Sequence, residues 1–417
     1  MPEKVKTFLL HPRTLLIVFI IAAIGASVQN YLLGFHPYIA PLPGSYPNDI
    51  MNKPGLMEQF NGKFLTEYNN YVIFKSSFFH LLHGTNLYGL YPNEHWDFFK
   101  YSPTFSLLMA PMAYLHDVVG LSVWNILNAI TVFFAIRMPP FSEKTRSLLL
   151  WLVSLELLTS LQNNQSNGLM CGLIIAAYGS MQKGKPLWAT LWLALSVYIK
   201  VYGAIGFALF LFYPQDRIKF VLYSAMWMAV LFALPLIVTP MPTLIWQYQN
   251  WLELMKADAV AATGLSVAGW LNTWFGLSDV KSIVSIGGIV LFLAQFVRFD
   301  LYKTEAYKIM MVASMLIWVV IFNHKAESPT FIIAMAGVGI WYYARPKTTW
   351  RTVTVVLAFV FTSLSTTDVF PPFLRNSFVY PYTIKAVPCI IIWFVVFAEI
   401  MLMKRDEQIA DRVPAIQ

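Results

Sequence analysis

Apolar runs of about 17 to 22 residues, long enough to cross a hydrocarbon core of about 30 Å as helix, recur along most of the chain. With two shorter ones among them, the candidate spans are residues 13–33, 118–137, 147–162, 166–182, 187–199, 202–213, 218–239, 280–298, 306–322, 329–345, 350–366 and 382–403. Backbone groups inside a bilayer find no water, so each such run has to satisfy its own hydrogen bonds as helix. The pattern predicts an all-α integral membrane protein, a multi-span bundle of about twelve transmembrane helices. One long polar and aromatic stretch interrupts it, residues 34–101, straight after the first span. This is read as a large first extracytoplasmic loop containing short helices. The next segment, 103–116, is apolar but short and carries Pro103 and Pro111, which predicts a partly embedded helix rather than a full span. The pair 187–199 and 202–213 is too short for two ordinary spans. It predicts a hairpin that stops part-way through the bilayer, its tip at Lys200-Val201-Tyr202-Gly203, and such a broken helix usually lines a cavity.

Charge orients the bundle. If 103–116 is not a span, the basic groups Arg137/Lys144/Arg146, Lys183/Lys185, Arg217/Lys219, Arg298/Lys303/Lys308, Arg345/Lys347/Arg351 and Lys404/Arg405 all fall on the side of the N-terminus. That side is then the cytoplasm, with both termini in it and the 34–101 loop on the outer face. Residues 1–403 form one transmembrane domain, and 404–417 form a short polar cytoplasmic tail that is expected to be disordered. The composition agrees. Of the 417 residues 58% are hydrophobic and 12% charged, about half the charge of a soluble domain. The net charge of +8 sits in short clusters between spans, so the partner it implies is a lipid bilayer and not nucleic acid. Cys171 and Cys389 both lie in apolar runs and suggest neither a disulfide framework nor a zinc site. The first apolar stretch lacks a convincing cleavage site and is read as a retained span.

The polar positions carry the candidate chemistry. Transfer of a group to a hydroxyl needs a base within hydrogen-bond reach of that hydroxyl. The loop offers Glu67 in TEYNNY and Asp97 in EHWDFFKYSP, among rings that suit a sugar face, with Asp49 and Glu94 behind them. Lys75, Lys100 and Tyr101 of the same region are candidates for substrate contact. Lys200 is a cation inside the run LALSVYIKVYGAIGF, and an ionisable group there marks a functional site by default. With Tyr202 beside it, it would meet the phosphate of a lipid carrier as a point charge, unless it snorkels to the headgroups. The turn NHKAESP places His324, Lys325 and Glu327 between two spans, to contact a phosphate or orient a base. The turn LQNNQSNG offers Asn164 and Gln165, either to sugar hydroxyls or as caps for the helix after it. The sequence holds no phosphate-binding glycine loop, no dinucleotide fingerprint, no nucleophile elbow and no HExxH. No cofactor and no metal is implied.

Taken in order, HLLHGTNLYGLYP, FKYSPTFSLLMAPMAYL, WNILNAI, the long QNNQSNGLMCGLIIAAYGSMQKGKPLWATLWLALSVYIKVYGAIGF and GLSVAGWLN resemble the bacterial polyprenol-phosphate-mannose-type enzymes of glycosyltransferase family 87, in the GT-C superfamily. The resemblance covers roughly residues 65–345. It implies a GT-C-type bundle and an inverting, metal-independent transfer. The donor would be a polyprenyl-phosphate sugar such as the mannose. The acceptor would be a hydroxyl of a lipid-linked glycan, glycolipid or glycoprotein at the outer face of a bacterial inner membrane. It also implies a loop carboxylate as base. Where the family typically has Asp, the position correctly spaced from Gly84 is Asn70, and Glu67 is the nearest carboxylate. The family's later histidine is displaced here to His324, with Ser328-Pro329-Thr330 at the expected place. Two other classes share some of these features. A transporter or flippase of a lipid-linked glycan would more often show a second broken hairpin. A membrane polysaccharide polymerase or ligase typically carries its large loop later in the chain.

Overall fold

A computed structural model describes residues 3–33, 35–37, 64–91, 93–95, 97–260, 263–324 and 326–411. Asp49 and Lys325 lie outside the described residues. The described chain is almost wholly helical. Four helices are long and apolar enough to cross a membrane: Pro12–Leu33, Asp117–Ile136, Pro214–Ile237 and Ile384–Leu402. Five further apolar helices are shorter, namely Pro186–Ile199, Val201–Phe212, Lys281–Val297, Ser328–Ala344 and Thr349–Leu364. The regular pattern of about twelve full spans therefore becomes a few long helices and several short or interrupted ones. The interruptions are physical. Tight 3-10 turns occupy Gln295–Val297 and Ser328–Thr330, and a π turn occupies Phe359–Leu364.

Labels run in chain order. Helices α1 (Glu3–Leu10) and α2 (Pro12–Leu33) precede the loop. The loop opens with β1 (Phe35–Pro37), which pairs antiparallel with β2 (Phe64–Thr66) further along it, and α3 (Asn69–Leu82) comes next. The segment expected to be partly embedded is two short helices, α4 (Pro103–Leu108) and α5 (Ala110–Ala113). Ser102 starts α4 by accepting the Phe105 N–H at 3.1 Å, and its hydroxyl donates to the Tyr198 carbonyl at 2.5 Å. Then come α6 (Asp117–Ile136), α7 (Glu143–Gln162), α8 (Asn167–Gln182) and α9 (Pro186–Ile199). After these lie α10 (Arg217–Ala233), α11 (Met241–Val260), α12 (Val267–Phe275) and α13 (Lys281–Ala294). The chain closes with α14 (Glu305–Ile321), α15 (Phe331–Ala344), α16 (Thr349–Ala358) and α17 (Val387–Leu402). Helices α14 and α15 are apolar nearly all round, and nearly every side chain in them is buried. They form the centre of the bundle, as a helix without a polar face must.

The expected hairpin is present. Pro186 opens α9, where its missing N–H costs no hydrogen bond. Lys200 then turns extended, with φ −141° and ψ 123°, and the chain returns as the 3-10 helix Val201–Phe212. Twelve residues is long for that geometry, whose runs seldom exceed a few residues. Close packing explains part of it. A Cβ at Gly203 would sit 2.4 Å from the Ser196 Oγ, so only glycine lets the returning arm of the hairpin approach α9 there.

The described part of the tail, residues 404–411, differs from the expectation of disorder. Ile409 is buried, the Ala410 N–H donates to the Ala344 carbonyl at 3.1 Å, and Glu407 pairs with Arg345. Asp411 accepts from both the backbone N–H and the hydroxyl of Ser142, at 3.3 and 2.8 Å. An apolar anchor and matched charges outweigh the polarity that suggested a free end.

Candidate functional site

The Asn-Gln turn between α7 and α8 builds the site. Asn164 adopts φ +54°, a left-handed conformation that asparagine tolerates better than most side chains. The Trp124 indole donates to its carbonyl at 3.0 Å, and Asn30 donates to its Oδ1 at 3.2 Å. Asn164 is thereby committed to the turn, and the turn directs Gln165 and Asn167 inward. Asn167 Oδ1 accepts the Lys200 ammonium at 2.8 Å. Asn167 Nδ2 donates to Gln165 Oε1 at 2.7 Å, and Gln165 Nε2 donates to Glu327 Oε2 at 2.6 Å. Lys200 lies 5.8 Å from the centre of the Tyr101 ring and 5.9 Å from that of Tyr202, within range of a cation–π attraction. The Tyr202 hydroxyl is 3.4 Å from Asn167 Oδ1, and the Ser166 hydroxyl is 3.3 Å from that of Tyr101. Ser166 makes no side-chain cap on α8, so its hydroxyl serves Tyr101 rather than the helix start. Burial pushes the Tyr101 phenol well above its ordinary range, and the nearby carboxylates of Glu327 and Asp97 push the same way.

Asp97 approaches from the loop side. Its φ of +82° is rare for a side chain other than glycine and stores strain of order 1–3 kcal/mol. Its Oδ1 accepts the Phe98 N–H at 2.7 Å and its Oδ2 pairs with Lys100 at 3.1 Å. The Trp251 indole of α11 pins the Lys100 carbonyl at 3.1 Å. Behind Asp97 sits a cluster that includes Glu94, one of the candidate loop carboxylates. His80 stacks on Tyr91 at 3.8 Å and lies 3.1 Å from Glu94, and His95 Nδ1 meets the Asp97 carbonyl at 3.1 Å. A neutral His95 donates from Nδ1 to that carbonyl, which fixes its tautomer. Burial lowers its pKa from 6.5 to about 4, against the pull of Glu94.

Next to this site runs an apolar groove of about 810 Å³ between α6, α8 and α9. Lys183 and Lys185 line one end, and Phe105 and Ile199 line the other. Ile199 directly precedes Lys200, and Phe105 stacks on Tyr101 at 4.6 Å. One end of the groove is thus lined by the residue before Lys200 and by a ring that stacks on Tyr101.

Residues 98–367 match the sequence model of glycosyltransferase family 87. The chain belongs to that family. Together with its apolar helices of membrane-crossing length, this makes it a membrane glycosyltransferase. No curated protein matches the chain. The family-87 match takes in Lys100, Tyr101, Gln165, Lys200, Tyr202, His324 and Glu327, whereas Asp49, Glu67, Glu94 and Asp97 precede it.

Of the residues singled out in this family-87 chain, Lys200, Tyr202, Tyr101, Gln165 and Glu327 come together in one cluster, and Asp97 and Lys100 adjoin it. The others stand elsewhere. Glu67 is exposed just beyond β2. Asn70 donates to the Asn163 carbonyl at 2.8 Å, tying α3 to the Asn-Gln turn. Lys75 is paired with Asp117 at 2.6 Å, and the Tyr68 hydroxyl reaches the same carboxylate at 3.3 Å. His324 precedes Ala326, whose carbonyl accepts the Leu265 N–H at 2.8 Å. Asn167 and Asp117 were missed. Asn167 lies within the QNNQSNG run, two residues after Gln165, and that run of amides was its only signal. Among the described residues, no three His, Cys, Asp or Glu side chains gather as a metal site would require.

Proposed function

We propose that this membrane glycosyltransferase moves a sugar, mannose in the first instance, from a polyprenyl-phosphate donor to a hydroxyl of a lipid-linked glycan, glycolipid or glycoprotein. The observation that carries this reading is the position of Lys200. A partly buried ammonium is flanked by two tyrosine rings, and the residue before it, Ile199, lines one end of an apolar groove. That combination suits an amphiphile with an anionic head and a long apolar tail. The isoprenoid chain would occupy the groove, and its phosphate would meet Lys200.

In the step itself a carboxylate takes the acceptor's proton as the hydroxyl oxygen attacks the anomeric carbon. The bond from that carbon to the phosphate oxygen breaks, and configuration inverts. The donor phosphodiester has one negative charge and the departing phosphate monoester gains a second. The Lys200 ammonium therefore interacts more strongly with the leaving group than with the ground state, which is the condition for catalysis. Glu67, Asp97 and Asp49 are the candidate bases. Asp97 is favoured by its proximity to Tyr101 and Lys100, and Glu67 by its exposure to an incoming acceptor. The active face looks outward from a bacterial inner membrane with both termini in the cytoplasm, as the basic clusters suggest.

Purified full-length protein, given short-chain polyprenyl-phosphate mannose and a membrane-lipid extract, tests the reading. The variants Glu67→Gln, Asp97→Asn and Asp49→Asn are compared at matched folding. One of them is expected to abolish transfer while still binding donor. Full transfer by all three would remove each of these loop acids as the base.

A further inference from the structure

The contacts around Lys200 carry more than a phosphate site, although their catalytic meaning rests on the proposed lipid-phosphate donor. An ammonium has only donors, so the Asn167 atom that meets it at 2.8 Å has to be the carbonyl oxygen. That choice turns Asn167 Nδ2 toward Gln165, 2.7 Å away, so Gln165 must present its own oxygen there. Gln165 Nε2 then faces Glu327 at 2.6 Å, and an ionised carboxylate can only accept. Each amide has one orientation that satisfies both neighbours, and the charges at the two ends agree on it. Asn167 is fully buried and Gln165 nearly so, which makes an unsatisfied orientation costly.

We infer that Asn167 and Gln165 are positioning residues, forming an oriented amide relay that holds the Lys200 ammonium toward the donor phosphate and couples it to the Glu327 carboxylate. The relay uses one of the three ammonium protons. The two tyrosine rings flank the charge without taking a proton from it at their distances of 5.8 and 5.9 Å. A lysine held in this way is pre-oriented for an anion, whereas a free lysine on a flexible stem has to be ordered at the moment of binding.

Two measurements on the purified full chain in detergent test this. The first is thermal unfolding of Lys200→Met, Glu327→Gln and their double variant, repeated in a Gln165→Leu background. Losing either charge frees the amides to flip, so the second loss matters less. The double variant is expected to fall by less than the sum of the singles, and the shortfall is expected to shrink once Gln165 is leucine, to what the direct attraction between Glu327 and Lys200 supplies. Addition in the unaltered background, or the same shortfall in both backgrounds, would overturn the relay, whatever the enzyme transfers. The second is binding of farnesyl phosphate against uncharged farnesol, read by tryptophan fluorescence. Asn167→Ala is expected to weaken the phosphate by about tenfold, the scale of one hydrogen bond to a charged group, and to leave farnesol unchanged. Asn167→Asp is expected to weaken it too, because the new carboxylate competes for the ammonium. Equal weakening of both ligands, or of neither, would overturn the positioning role. If the unaltered protein bound neither ligand, the donor reading would fall, and the unfolding cycle alone would decide the relay.

Discussion

Replacing Lys385 by methionine should destabilise this protein more than almost any other single change. Lys385 and Glu156 meet at 2.7 Å with side-chain exposures of 2% and 0%. The ammonium also donates to the Thr366 hydroxyl at 3.3 Å and lies 5.4 Å over the Phe331 ring. Among the described residues, the second Glu156 oxygen has no partner. At an effective dielectric constant of about 20, unit charges this close attract by roughly 6 kcal/mol. Taking both ions out of water costs several kcal/mol each, so the intact pair contributes little net stability. Removing one partner is a different matter, because it strands a buried carboxylate, at about 3–5 kcal/mol. At about 2 cal/mol/K of unfolding entropy per residue, that is a fall of roughly 5 °C in apparent Tm for a chain of 417 residues. The assay is temperature-ramped fluorescence of purified Lys385→Met beside the double variant Glu156→Leu/Lys385→Met. The double variant should recover most of the loss. A single variant as stable as the parent, or a double variant less stable than either single, would refute the reasoning.

Three other perturbations test neighbouring contacts. His95 has a folded pKa of about 4 against 6.5 unfolded, so its contribution is complete above pH 6.5 and is lost as pH falls toward 4. That gap sets a ceiling of about 3 kcal/mol, and the protection factors of residues 83–100, with the intrinsic slowing of exchange at lower pH divided out, should fall between pH 7 and pH 5 in the parent but not in His95→Gln. A Cβ at Gly120 would lie 2.0 Å from the Tyr71 hydroxyl, which donates to the Met112 carbonyl. Gly120→Ala should therefore cost about 1–3 kcal/mol and loosen α3 from α6, seen as a lower Tm, and an unchanged Tm would contradict the packing. Ala176 lines the apolar groove. Ala176→Trp should raise KM for long-chain donors by about tenfold and spare short-chain ones, whereas equal effects on both would place the chain elsewhere.

Much of this arrangement was legible in the sequence, and for identifiable reasons. Lys200 stood out because a cation in an apolar run is expensive, and the hairpin around it stood out because its arms were too short to span. The loop helix pair after Ser102 was marked by two prolines. What the pattern hid was length. Hydropathy registers an apolar run whether it is a straight span or is broken by a 3-10 or π turn, so residues 281–297 and 349–364 read like the rest. Pairing was hidden as well. Lys75 read as a candidate substrate contact, but its partner Asp117 is 42 residues away and opens α6. Asn167 looked like one more amide beside a helix start, and only the fold brings it within 2.8 Å of Lys200.

The central claim is that a lipid phosphate meets Lys200 during sugar transfer. The most direct test is transfer of labelled mannose from polyprenyl-phosphate mannose to membrane-lipid extract by the purified protein with EDTA present, beside Lys200→Ala. The account predicts transfer by the parent and a loss of about 100-fold or more in kcat/KM for the variant, the scale for removing one transition-state charge contact. Equal transfer by both proteins would contradict it.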